Sequence, residues 1–218
     1  IYYILMLYDH MMYFGDPEFL RQHMGAVDGI LEFFRRNLDE RGLVGKVEGI
    51  NGRAKYWSFI DWTKQWDETS GMPRAGLEGP ITMESLLYIL GLEYAAKVLE
   101  YLGRNSVAEE YRERAAKVRD AVNRWCVDEN GVYIDGPGVK QYSQHCQVFA
   151  LLAGCVDPQK GAENLKKSME DPETYAQCSV AMAYYLYRAL EKAGMYAETE
   201  KCWDLWKKMV KDNLTTKS

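Results

Sequence analysis

Apolar residues along most of this chain recur at intervals of three and four, the spacing that lines one face of an α-helix. Phe19, Leu20, Met24, Val27, Ile30, Leu31 and Phe34 form one such stripe. The pattern predicts helices at roughly 1–14, 17–39, 81–102, 105–126, 141–154, 158–170, 174–193 and 195–213. Punctuation residues agree with these limits. Gly15-Asp16-Pro17 combines a stop, an N-cap and a first-turn proline, and Asp157-Pro158 and Asp171-Pro172 repeat the start signal, while Gly103 and Gly194 end helices. Strand signal is confined to short pieces. Val132-Tyr133-Ile134, following Asn130-Gly131, reads as one arm of a tight turn.

The chain is therefore expected to be all-α, one domain spanning residues 1–218. Consecutive helical hairpins suit either an open solenoid or a closed ring, the (α/α)6 toroid. Solenoid repeats hold a fixed period, about 34 residues for tetratricopeptide units. Here a loop of about 40 residues separates the second and third helices while later hairpins are tight, which a ring accommodates more readily. The segment from Ala95-Ala96 through Leu102-Gly103 to Ala108 and Ala115-Ala116 also resembles a tetratricopeptide unit. A helical-repeat interaction module is accordingly the alternative reading.

That long loop carries the densest chemistry. Between Gly45, Gly49, Gly52 on one side and Gly71, Pro73, Gly76, Gly79, Pro80 on the other lie Trp57, Trp62 and Trp66 with Asp61 and Asp67. Aromatic residues bury large apolar areas and argue against disorder. An ordered loop bearing flat rings and carboxylates suits a sugar: rings stack on the apolar face of a pyranose and a carboxylate accepts bonds from its hydroxyls. A loop that merely plugs the helical core is the competing interpretation.

Composition narrows the partners. Net charge is −5, from 27 basic and 32 acidic residues with no basic stripe, so nucleic acid is not expected as a partner. No apolar run reaches the roughly 20 residues needed to span a bilayer, so no membrane partner is expected. The opening Ile1–Tyr8 reads as a buried helix entered partway, so the chain is expected to be a fragment of a larger domain. Five cysteines (Cys126, Cys146, Cys155, Cys178, Cys202) lie on apolar helical faces without metal-ligand spacing and are expected as free thiols, leaving the compartment open. His10 and His23 have no ligand set around them, so neither metal nor cofactor is expected.

Taken in order, Tyr13-Phe14-Gly15-Asp16, Asp61-Trp62, Ala95-Ala96 with Leu102-Gly103, Tyr142-Ser143-Gln144-His145, and Trp203-Asp204-Leu205-Trp206 with Asn213-Leu214-Thr215-Thr216 resemble the catalytic domain of bacterial α-L-rhamnosidases, glycoside hydrolase family 78. The resemblance covers nearly the whole chain. It implies a partial (α/α)6 toroid whose rim loops form a pocket for a terminal rhamnose, cleaved with inversion by a general acid and a general base. The family's acid lies in a motif upstream of the position matching Ile1, and its base is a glutamate shortly after a Thr-Thr pair like Thr215-Thr216. Both are expected to fall outside this chain. What carries over is binding: Asp61 and Trp62 match the loop element facing the rhamnose pocket, with Trp57 and Trp66 in the same loop.

Tyr142, Gln144 and His145 sit at a helix start expected to face the loop side, where they could hydrogen-bond a sugar. A packed His145 behind an N-capping Ser143 is an equal reading. Glu78 and Glu84 flank a helix start at which the dipole alone favours a carboxylate, and are read as structural. Tyr184, Tyr185, Tyr187, Trp203 and Trp206 are expected in the core and in packing between hairpins, and Lys207, Lys208 and Lys211 on a solvated face. Oligomeric state is left open.

Overall fold

The computed structural model describes residues 1–46 and 58–213, the side chain of Leu205 excepted. Eight α-helices appear among the described residues: α1 (Tyr2–Phe14), α2 (Pro17–Arg36), α3 (Thr82–Tyr101), α4 (Asn105–Trp125), α5 (Gln144–Leu152), α6 (Pro158–Glu170), α7 (Val180–Lys192) and α8 (Asp204–Lys211). A 3₁₀ segment, Tyr196–Trp203, leads into α8. Asp16 and Asp157 cap α2 and α6, each accepting two backbone N–H bonds ahead of a first-turn proline. Such caps stabilise a helix by about 1 kcal/mol each.

The sequence explains the layering. α3 is apolar around nearly its whole circumference, from Met83, Leu86 and Ile89 to Leu90, Leu92 and Val98, and every residue of α5 from Gln144 to Leu151 is buried. Helices of that kind belong inside. α2, α4 and α6 carry a single apolar stripe and lie outside, each packed on the helix it is joined to in sequence. Inner helices are neighbours in turn, α1 beside α3, α3 beside α5, α5 beside α7. The result is all-α: consecutive hairpins in an inner and an outer layer, the arrangement expected for part of an (α/α)6 toroid. Close approach of α6 to α5 depends on Gly161, where a Cβ would stand 2.8 Å from Leu151.

Four expectations need correction. α5 and α7 begin later than the periodicity indicates, because Tyr142–Ser143 (β1) and Tyr175–Ala176 (β2) pair as a short parallel ladder. A pairing between residues so far apart in sequence leaves no local trace. α2 ends at Arg36, not near 39, and Leu38 bridges Val44 instead. α1 is buried on one face only: Ile4, Leu5 and Leu7 are inside, whereas Met6, Met12, Tyr13 and Phe14 are exposed. Tyr184, Trp203 and Trp206 are likewise exposed rather than core, while Tyr185 and Tyr187 pack partly buried against it. Val132–Ile134 does form the arm of a tight turn, with Tyr133 bridged to Val127 and Gly131 at φ +76°.

Candidate functional site

Three connections enter the inner helices at the same end of the layer: 58–81 before α3, 127–141 before α5 and 171–179 before α7. What holds them together is the run Tyr142-Ser143-Gln144-His145-Cys146-Gln147. Tyr142 donates its hydroxyl to Asp128, Ser143 donates to Asp135 at 2.6 Å, and Gln144 accepts the Cys178 N–H at 3.1 Å. His145 meets Asp61 at 2.7 Å, and Gln147 exchanges bonds with the backbone of Tyr133. Each polar side chain of this buried helix start thus reaches a different part of the three connections. Their burial is tolerable because these partners are present.

Asp61 is the centre of that web. Its Oδ2 accepts from His145 Nε2 and from the Ser179 N–H at 2.8 Å, and its Oδ1 accepts the Ser179 hydroxyl at 2.6 Å. Burial pushes the carboxyl pKa up, but the bonds from His145 and Ser179 outweigh it and hold it below the ordinary value. An ionised carboxylate only accepts, so His145 Nε2 carries the shared proton. Trp66, 3% exposed, lies against the His145 ring at 4.7 Å. His145 Nδ1 is buried and has no partner among the described residues.

The loop turns back on itself so that Ile60 and Asp61 both donate to the Gly71 carbonyl. Gly71 sits at φ +81°, and a Cβ there would lie 2.5 Å from the Phe59 ring and 2.9 Å from the Asp61 carbonyl oxygen. Gly71→Ala is expected to cost about 1–2 kcal/mol, readable as a lower urea midpoint at unchanged slope. Gln65 then ties the loop to the carbonyl of Pro172 at 3.1 Å. Locked this way, the loop presents Trp62 outward at 65% exposure, its ring 5.1 Å from that of Phe59.

The residues anticipated from sequence therefore separate. Asp61, Trp66, Gln144 and His145 are buried and face one another or the neighbouring connections, Tyr142 is half-buried on Asp128, and Trp62 faces solvent. Both oxygens of Asp61 are engaged by His145 and Ser179, and the Trp66 ring lies against His145. Trp57 and the Leu214-Thr215-Thr216 motif lie outside the described residues. Two participants, Ser179 and Asp135, have no place in the sequence reading, and a third residue, Glu84, has more to it than its helix-start position. Ser179 is one, although a Ser before an apolar run is a helix-start signal, and it does cap α7 by accepting from Ala181 N–H. Asp135 is another, fully buried, with burial raising its pKa against the bonds from Ser143 and Cys146. Glu84, read from sequence as a structural carboxylate at a helix start, is buried: burial raises its carboxyl to about 7, a hydrogen bond with Ser58 opposing, and its Oε2 finds no partner among the described residues. No group of three or more metal-ligating side chains occurs among the described residues.

A family model described as the bacterial α-L-rhamnosidase six-hairpin glycosidase domain matches residues 2–213. The chain belongs to that family. Solved structures of rhamnosidases share the fold. One from Bacillus sp. GL1, of glycoside hydrolase family 78, superposes with a TM-score of 0.81 at 24% identity, covering 98% of this chain and 22% of its own. A Klebsiella oxytoca rhamnosidase with rhamnose bound gives 0.78 at 20% identity, covering 96% and 37%. An α-L-rhamnosidase from Dictyoglomus thermophilum gives 0.63 at 17% identity, covering 89% and 20%. The chain thus spans well under half the length of these relatives. No curated protein matches. Within the six-hairpin glycosidase frame the inner–outer pairs α1/α2, α3/α4, α5/α6 and α7/α8 are successive hairpins, and the tetratricopeptide alternative falls.

Proposed function

We propose that this chain is the sugar-positioning part of a glycoside hydrolase that removes terminal α-L-rhamnose with inversion. The observation that carries the reading is the disposition of Asp61 and Trp62: one locked inward by three bonds, the other held outward beside Phe59 by that locking. An exposed indole fixed by its buried neighbour is a stacking platform for the apolar face of a pyranose. In this reading Asp61, His145 and Ser179 position the platform rather than touch the sugar, and Trp66 wedges the loop from beneath. Membership of the rhamnosidase family, and the rhamnose bound in the Klebsiella relative, make a rhamnoside the substrate to test.

Inversion needs two carboxyl groups about 6.5–9.5 Å apart with room for a water between them. Asp61 and Asp135 are both engaged internally, so neither serves as such a group here. The 218-residue chain is accordingly expected not to hydrolyse 4-nitrophenyl α-L-rhamnoside; measurable turnover would place the acid–base pair within the chain, with Glu84 the first side chain to substitute. Binding is tested separately. Trp62→Ala should leave thermal stability nearly unchanged, since the ring is exposed, yet weaken L-rhamnose about five- to thirtyfold, the equivalent of about 1–2 kcal/mol of ring contact. Equal affinity in a calorimetric titration would remove Trp62 from the site.

A further inference from the structure

A cavity of about 290 Å³ opens between α6, α7 and the Tyr196–Trp203 segment, in the wall of the helical layer. We propose that it is a binding site for a small uncharged aromatic compound that carries a carbonyl or hydroxyl oxygen. Its volume is near the lower end for ligand pockets, about 300 Å³, which suits a single ring with a short substituent. Met169, Leu186, Met195 and Trp206 give it an apolar lining. The Trp206 indole N–H is already donated to the Tyr187 hydroxyl at 3.0 Å, so this ring contributes only apolar surface.

The polar feature that points to a ligand is Gln144. Gln144 is 3% exposed, lines the cavity, and uses its side-chain oxygen to accept the Cys178 N–H. The amide nitrogen donates to no described residue. That nitrogen is not among the sealed unpartnered atoms of the described residues, so it is open to the cavity, where an oxygen on a bound molecule would accept from it. Charge selects for neutrality. Lys166 pairs with Glu170 at 3.9 Å and Lys201 with Glu198, so the four ionic groups of the lining cancel. Burial raises the pKa values of Cys178 and Cys202, keeping both thiols neutral. Nothing in the lining offers an unpaired charge to an ionic ligand, whereas rings and thioethers favour an aromatic one.

The probe is 4-hydroxyacetophenone, titrated into the 218-residue chain by calorimetry, with the Gln144 side-chain amide followed by ¹H–¹⁵N NMR. Expected are one-site saturable binding with Kd below about 1 mM, a shift of the Gln144 amide resonance, and at least tenfold weaker binding of the anionic analogue 4-acetylbenzoate. Ala183→Phe, which fills the cavity from a partly exposed lining position, should abolish binding, and Trp62→Ala should leave it unchanged. Absence of saturation, an unmoved Gln144 resonance, or equal affinity for the anion would overturn the proposal. So would a folded Ala183→Phe chain that binds as well, or loss of binding in Trp62→Ala, which would put the probe on the aromatic loop. Should Ala183→Phe not fold, the resonance and the anionic analogue decide alone.

Discussion

Asp61→Ala should lower the unfolding free energy by about 3–5 kcal/mol, because it leaves the Ser179 N–H, the Ser179 hydroxyl and His145 Nε2 buried with no acceptor. For a chain of this size that corresponds to a melting temperature about 8–15 °C lower. Asp61→Asn should behave differently. With its amide nitrogen in place of Oδ1 it can donate to the Ser179 hydroxyl, and its oxygen can still accept from His145 and the Ser179 N–H. Only the charge assistance is lost, about 1–1.5 kcal/mol. Rhamnose affinity of a folded Asp61→Asn chain should stay near that of the parent if Asp61 positions the loop, and fall at least tenfold if the carboxylate touches the sugar. Thermal unfolding and titration of the two variants together distinguish the roles. Acid sensitivity has a fixed sign: the native pKa of Asp61 is depressed, so its contribution is complete above the unfolded value of 3.8 and is lost as pH falls through the native one.

Glu84→Gln should stabilise the protein at alkaline pH. Burial lifts this carboxyl from 4.5 to about 7, so the folded chain holds a proton there that the unfolded chain releases. Stability from the protonated form is complete below about 4.5 and is lost as pH rises to about 7, a change of roughly 2–3 kcal/mol. Urea unfolding at pH 4.5 and pH 8 should show that fall in the parent and a much smaller one in Glu84→Gln. An identical pH dependence in both would mean that Glu84 is ionised in the native state. With the Asp61 contribution complete above 3.8 and the Glu84 contribution complete below about 4.5, these two groups together favour a stability maximum in the acid range between those values.

Periodicity made the helices legible because an amphipathic stripe is a local property: α2, α4 and α6 could be drawn from their own residues, and Asp16-Pro17 and Asp157-Pro158 marked their starts to the residue. Apolar α3 was legible for the complementary reason. The aromatic loop announced itself by composition alone. What composition could not supply was direction. Whether Asp61 turns toward solvent or toward His145 depends on a partner 84 residues away, and whether Trp62 or Trp66 is the exposed ring depends on the turn at Gly71. Ser179, 118 residues from Asp61, was hidden within a helix drawn too long, since Tyr175–Ala176 reads as helical until its pairing with Tyr142–Ser143 is known. At the level of sequence the helix dipole accounts for Glu84. A dipole explains a carboxylate at a helix start but not one whose second oxygen is sealed with no partner among the described residues.

The web around Tyr142–Gln147 also bears on the order of events when the chain folds. Contacts within α3/α4 or α5/α6 join neighbours in sequence and can form early, whereas the bonds from Asp61 to His145 and Ser179 close loops of 84 and 118 residues and are entropically slow to make. Hairpins should therefore assemble first and the aromatic loop dock last. A contact formed after the rate-limiting step influences escape from the native state more than entry into it. Weakening the Asp61 anchor should thus leave refolding rates nearly constant and quicken unfolding, so that the segment presenting Trp62 is the first part of the molecule to let go and the natural place for a protease to begin.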